Sequence, residues 1–516
     1  MSHGLLSGHP PPSIEILQAW LDDHGAVINS HVEITESFDG WGIRATETID
    51  EGDLVCMIPK TAVLSHRTSS LPLLTLPPTS VDGIEAHWPI LQLSLAILHE
   101  LRLEVDSPFF GYLQSLPRDL ILLPVFWSVE KIAGEDGRLG LLWLKGTEAE
   151  RDMARRSSIG LGLNELNTFY QTHRLHLPST KYHPSPSPFE AFYHAFALVS
   201  TRAFVIDLYH TVGLCPFADL LNHSSTPHTQ LASDKDVCHI CGSLPSCKHD
   251  ILNANDVPRR LEQVPPHTRK IMEETIDCVE LKLERSVRGG EEIWNWYDDN
   301  IGDARSLVEW GFVGEDFADE GITWELSDIL GTDISFKRVY AGMIASGVIK
   351  DMMDNIDVED PLVGLPDRMG LLSVSHEGQI SGYLFAAVVI GRVLLDEVPG
   401  HTELAEVMRD SLEEIERRAN ANEFRGTDAE MSGQTKSNTN KGPLSPITGQ
   451  VVKEIINLLE TRLTKFHHSE HQVEDLYTIR DTLSSDAKLQ RMAIMVRIHE
   501  QSLLESTLHK WRELLA

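Results

Sequence analysis

Near the middle of the chain, the run Phe217-Ala-Asp-Leu-Leu-Asn-His223 places the tightest constraint on folding. It is short and apolar, and Cys215-Pro216 enters it while Ser224-Ser-Thr-Pro227 leaves it. Proline and hydroxyl residues on both flanks bound the run and predict tight backbone turns on either side. Asn222 and His223 stand together at its end. Held at such a bend, an amide and an imidazole can present hydrogen bonds to a polar small molecule. The alternative is a buried Asn-His pair that satisfies a loop.

Composition narrows the partners. A chain of 516 residues suffices for two or three cores, and 41% apolar with 23% charged residues is ordinary for a soluble protein. A net charge of −33 is not ordinary. It argues against direct binding of nucleic acid or an acidic membrane, whose phosphates it would repel, and suits a partner with a basic surface; solubility alone is the other reading. The first residues lack a signal-peptide pattern, and no apolar run approaches the roughly 20 residues needed to span a bilayer. Six cysteines in so long a chain do not form a disulfide framework. A cytosolic or nuclear monomer is expected.

Periodicity predicts the elements. Ile14, Leu17, Trp20 and Leu21 recur at helical spacing over 14–24. Leu54-Val-Cys-Met-Ile58 reads as a short buried strand, and Val279 to Val287 alternates as a half-buried one, which Gly289-Gly290 turns back into a strand from Glu291 to Tyr297. Residues 65–200 are mostly helical, with Ile90, Leu93, Ile97 and Leu101 on one face. Residues 228–275 are polar and irregular. Helical patterns return after about 325, interrupted over 418–448 by an Asn-, Thr-, Ser- and Gly-rich stretch that reads as a disordered loop.

Two further stretches flank the central one. Upstream is Asp39-Gly-Trp-Gly-Ile-Arg-Ala-Thr46, followed by Ile49 to Pro59; downstream is Arg288-Gly-Gly-Glu-Glu-Ile-Trp-Asn-Trp-Tyr297, then Ala304 to Phe312. In this order the three resemble the SET-domain protein methyltransferases, in particular the branch with the Rubisco large-subunit and fungal ribosomal lysine methyltransferases. The resemblance implies an α+β, SET-type β-clip fold over 15–320 with a helical insertion at about 65–200, and an all-helical substrate-binding domain over 321–516. It implies S-adenosylmethionine as methyl donor and a lysine of a basic protein, ribosomal or otherwise translation-related, as acceptor.

Roles follow residue by residue from the same resemblance. Asp39, Gly40 and Trp41 match a segment touching the cofactor's amino-acid part, Arg202 a cofactor-contacting arginine, and Asn222 and His223 the pair holding its polar ends. Tyr297 matches the catalytic tyrosine at the methyl-transfer channel. Thr201, Asp219, Trp310 and Phe312 match the lysine pocket. Trp310 departs from the plant enzyme, which has tyrosine there. That leaves histidine methylation as an alternative, and a catalytically lapsed module for a basic partner as another.

One cluster lies outside these motifs: Cys238-His-Ile-Cys241-Gly-Ser-Leu-Pro-Ser-Cys247-Lys-His249. Cys-x2-Cys suits a zinc knuckle, and Cys247 with His249 completes a tetrahedron, His239 being a competing fourth ligand. The other reading is a reduced loop with spare thiols. Histone-type SET enzymes carry cysteines after the channel tyrosine; here the last is Cys278, so the C-terminal helices are expected to close the substrate groove.

Overall fold

Local sequence pattern accounts for most of the elements in the computed structural model, which describes residues 14–37, 40–72, 84–183, 188–297, 301–314, 321–330, 372–393, 401–428 and 443–516. They form two compact units. The first takes residues up to Ala133, Asp152–Ile301 and Ser306–Gly311; the second takes Gly134–Arg151, Gly302–Arg305 and the chain from Phe312 on. The single boundary expected at 320/321 is therefore replaced by an interleaved one.

The first unit opens with α1 (Ile14–Asp23), which buries Leu17, Trp20 and Leu21 as the spacing predicts. Four antiparallel strands form its main sheet in the order β1 (Val27–Ile28), β4 (Leu54–Pro59), β9 (Cys278–Leu283), β8 (Thr229–Ser233). In β9 the alternation holds, with Val279, Leu281 and Leu283 buried. A hairpin of β2 (Val32–Ser37) and β3 (Gly40–Ala45) and a small sheet of β5 (Leu64–Ser65), β7 (Val212–Leu214) and β6 (Ala203–Val205) complete the β-structure of this unit. Helices α2 (Ile84–Leu103) and α3 (Phe189–Arg202) pack on each other within the same core.

Residues 291–297 correct the expected strand. They make isolated bridges only: Glu292 pairs antiparallel with Arg44 of the hairpin, and Asn295 pairs parallel with His223 and Thr229. The segment is shared between two neighbours of opposite direction, so neither side builds a continuous ladder. The Ile293 N–H donates to the Ile43 carbonyl at 2.7 Å and the Asn295 N–H to the Asn222 carbonyl at 2.8 Å.

The second unit is largely helical: α4 (Gly382–Val388), α5 (His401–Asp428), α6 (Pro446–Thr464), α7 (Val473–Thr482) and α8 (Lys488–Glu513). Both ends of the loop expected over 418–448 are helical instead, since α5 continues to Asp428 and α6 begins at Pro446; residues 429–442 lie outside the described ones. The helix-favouring run Glu413 to Arg418 carries into that stretch. Segment 134–151 joins this unit through Glu148, 2% exposed, whose carboxylate receives the Arg462 guanidinium at 2.8 Å and the Thr323 N–H at 3.1 Å. No described helix is long and apolar enough to cross a membrane.

Candidate active site

The central run folds as its flanks predict, and more tightly. Phe217 adopts φ 72°, ψ −49°, near the strained γ-turn geometry, and is held there by burial. A 3-10 turn, Ala218–Leu220, follows and delivers Asp219 inward. The Asp219 carboxylate is buried; its Oδ2 accepts the Tyr112 hydroxyl at 2.8 Å. Its main-chain carbonyl accepts Arg202 Nη1 at 2.7 Å, and the same nitrogen lies 3.8 Å from Oδ2. Burial raises the Asp219 carboxyl above its ordinary range, opposed by the Arg202 cation and the Tyr112 bond.

Tyr297 is tied to this run at both ends. Its hydroxyl donates to the Leu221 carbonyl at 2.9 Å, and its N–H to His223 Nδ1 at 3.3 Å. The second bond makes Nδ1 an acceptor and leaves the ring proton on Nε2, since burial pushes the His223 imidazole down and keeps it neutral. Burial also pushes the Tyr297 hydroxyl up to about 12, against the opposing pull of Arg202. At neutral pH this tyrosine is an uncharged hydrogen-bonding group, not a base.

Beside Tyr297 is a cavity of about 340 Å³. Thr201, Arg202, Asp219, Leu221, Tyr297 and Trp310 line it, and the Trp310 ring lies 5.8 Å from that of Tyr297. Ile90, Leu161, Val199 and Val212 supply apolar wall, and Arg156 paired with Glu309 at 2.8 Å supplies a charged one. Four expected positions are absent from this lining: Gly40, Trp41, Asn222 and His223. Gly40 and Trp41 pair with Ser37 and Glu36 at the hairpin's turn end, whereas Asn222 and His223 belong to a neighbouring group built where the hairpin meets the threaded segment. There Asn222 Nδ2 donates to Glu292 Oε1 at 2.7 Å, and a β-carbon on Gly42 would come within 2.8 Å of that oxygen. Phe312 belongs to the second unit and is not among the lining residues. Asp39 lies outside the described residues.

Sequence reasoning missed Tyr112, Glu292, Arg156 and Glu309. Glu292 stands inside the downstream motif, and Tyr112 in an aromatic stretch that reads as packing; neither carries a local sign of its partner 70 or 107 positions away. The expected zinc ligands do come together: one ligand atom from each of Cys238, Cys241, Cys247 and His249 falls within 4.8 Å of the others, while His239 is exposed and outside the group.

Comparison with known proteins agrees with this architecture. A family model described as SET domain matches residues 40–298, half of the chain. Ribosomal lysine N-methyltransferase 3 of Saccharomyces cerevisiae is 26% identical over 352 residues, covering 58% of this chain and 61% of the relative. The Rubisco large-subunit N-methyltransferase of Pisum sativum is 21% identical, over 58% and 52%. The N-lysine methyltransferase SETD6 of Rattus norvegicus is 27% identical, over 48% and 52%. The chain thus spans about half to three fifths of the length of these curated relatives. A crystal structure of the SET domain of LSMT bound to lysine and AdoHcy superposes with a TM-score of 0.54 at 16% identity, covering 97% of this chain and 91% of that one, a likeness of fold. With a convergent Asn222–His223–Tyr297 centre and a family match over half its length, the chain belongs to the SET domain family.

Proposed function

We propose that the protein transfers a methyl group from S-adenosylmethionine to a lysine side chain of a basic protein. One observation carries the reading: the Tyr297 hydroxyl is anchored on the Leu221 carbonyl, one residue before Asn222, at the wall of a cavity that also holds Asp219, Arg202 and Trp310. The central and downstream motifs meet there, and the upstream hairpin joins the downstream segment next door, where the Ile293 N–H donates to the Ile43 carbonyl. When bound, S-adenosylmethionine supplies a methyl group activated by its sulfonium charge. The residues fit such a molecule. Arg202 Nε and Asp219 Oδ1 are buried with no hydrogen-bond partner, Asn222 and Glu292 offer a donor and a carboxylate side by side, and Gly42 keeps that corner open. On this reading Gly40, Trp41, Asn222 and His223 face the cofactor, with Arg202 between cofactor and acceptor.

The acceptor amine must be neutral, although a free lysine titrates near 10.4. The apolar cavity wall disfavours the ammonium form by desolvation. Tyr297, uncharged and with its own proton committed to Leu221, directs a lone pair toward the amine; Asp219 accepts an amine hydrogen. Trp310 forms the aromatic wall beside them. Zinc has no part in this chemistry, because none of Cys238, Cys241, Cys247 and His249 lines the cavity.

A ribosomal or other translation-related acceptor is supported by the charge of −33 and by a relative named for ribosomal lysine methylation. We place the protein in the cytosol or nucleus as a monomer, acting without direct contact with nucleic acid. Incubating ribosomal and other basic protein fractions from cells lacking this protein with labelled cofactor tests the reading. Wild type labels one or few bands, and mass spectrometry finds methyl-lysine. Methyl-histidine would transfer the assignment to the reading that Trp310 keeps open, and cofactor binding without labelling of any fraction would leave a binding module.

A further inference from the structure

We infer that Cys238, Cys241, Cys247 and His249 form a closed, tetrahedral zinc site that holds together the insertion between β8 and β9. The distances fit the metal. His249 Nδ1 lies 3.9 Å from Cys238 Sγ and 3.8 Å from Cys247 Sγ. Zinc bonds of about 2.3 Å to sulfur and 2.0–2.1 Å to nitrogen at tetrahedral angles require sulfur–nitrogen edges of about 3.6 Å. All six cysteines are free, so no disulfide competes for these thiols. Three sulfurs and one imidazole exclude magnesium and calcium, which take oxygen ligands. The surroundings are built as well. Asp250 Oδ2 accepts the Cys247 N–H at 2.7 Å, and Arg260 grips Asp250 Oδ1 at 2.7 Å while donating to the carbonyls of Asp236, Leu244 and Pro245. Such partners orient metal ligands. A second group, His468, Glu470 and His471, is mostly exposed and lacks thiols; it resembles an ordinary charged surface.

The insertion has a reason to need a metal. Between Asp234 and Asp277 only Val237, Cys238, Leu244 and Leu261 are buried hydrophobics among the described residues, while Ile240, Ile251, Leu252, Ile271 and Ile276 are at least half exposed. So little apolar burial does not order a loop of that length. Its two ends are fastened without metal. The buried Lys60 ammonium lies 2.8 Å from the Asp234 carbonyl, 2.8 Å from the Asp277 carboxylate and 2.9 Å from that of Asp207. Only its middle depends on the cluster. Gly242, with φ +71° and no room for a β-carbon against the Tyr209 ring, packs the Cys-x2-Cys turn on that ring.

Metal analysis of the full chain after exhaustive dialysis should find one zinc per chain. Cobalt(II) exchanged into it should show the visible bands of tetrahedral thiolate-bound cobalt. Cys247→Ser and His249→Ala should each lower zinc affinity at least 100-fold, His249→Cys should retain the metal, and Asp250→Asn should lower affinity about 10- to 100-fold. Chelation should open 234–277 to proteolysis at unchanged secondary-structure signal from the remaining chain. The inference is overturned by a chain grown with added zinc that holds less than about 0.1 equivalent while its cluster thiols react as fast as Cys278. Loss of metal in His239→Ala but not in His249→Ala would overturn the ligand set.

Discussion

Two groups of polar residues in the first unit, the cavity around Tyr297 and the thiol cluster, are built in opposite ways. The cluster draws three thiols and an imidazole from twelve consecutive residues and lies in a loop with little core. The cavity draws Arg202, Asp219, Tyr297 and Trp310 from across the unit, with Asp219 buried and held from behind by the buried Tyr112. At the cavity wall and just behind it, burial is the leading cause of the shifts at Asp219, Tyr297 and Tyr112, raising all three, and it lowers His87. The contrast teaches where the function of a polar residue resides. A ligand set is written in spacing, whereas a reactive amine site is written in which distant groups share one desolvated volume.

The sharpest way to break the comparison is Tyr297→Phe. If the proposed role of its hydroxyl holds, the substitution should lower transfer about 100- to 1,000-fold, the usual loss for a preorganised hydrogen-bonding group, read as labelled methyl incorporation at unchanged circular dichroism. A loss below tenfold would move the catalytic centre elsewhere.

Lys60→Met tests the base shared by the insertion and the sheet. It takes the cation from Asp277 and leaves Asp207 to His210; bonds from His210 and Lys60 hold Asp207 below the ordinary carboxylate range even though burial pushes it up. Denaturant unfolding should show a loss of about 3–5 kcal/mol, the cost of breaking a buried pair.

Asp219 gives a pH signature. Its folded carboxyl titrates above its unfolded one, so its contribution to stability is complete below the unfolded range and is lost as pH rises through the folded value. Asp219→Asn should flatten that decline in a series of thermal melts. Tyr112→Phe removes an opposing bond and should extend the decline to higher pH; identical pH slopes in all three proteins would show that the carboxyl is not buried as described.

The smallest effect is expected from Gly42→Ala. The new methyl would press on a movable Glu292 side chain, so cofactor affinity should fall several-fold by calorimetry, with a stability cost of about 1 kcal/mol or less. No change would mean that the Asn222–Glu292 corner is not part of the cofactor site.

Much of this molecule is legible in its residues. The spacing of Leu17, Trp20 and Leu21 predicts α1, the alternation from Val279 predicts β9, and the Cys-x2-Cys pattern predicts that Cys238, Cys241, Cys247 and His249 come together, because each signal is confined to neighbours along the chain. The turns around Phe217 are legible from their flanks, though not the positive φ that makes the bend so sharp. Residues 291–297 read as a strand and are not one, since their pairing is decided by two partners that alternation within the segment cannot reveal.

The amino-acid sequence by itself determined the family, and its spacing brought out the Asn222–His223 and Tyr297 motifs and the Cys238–His249 cluster, because motif order and short-range spacing survive without coordinates. Only the tertiary structure decided that Tyr112 supports Asp219, that Glu292 faces Asn222, that Trp310 but not Phe312 walls the cavity, and that 134–151 folds with the second unit. Those outcomes depend on which side chains lose water together, and desolvation is a property of the assembled volume, with no period along the chain to announce it.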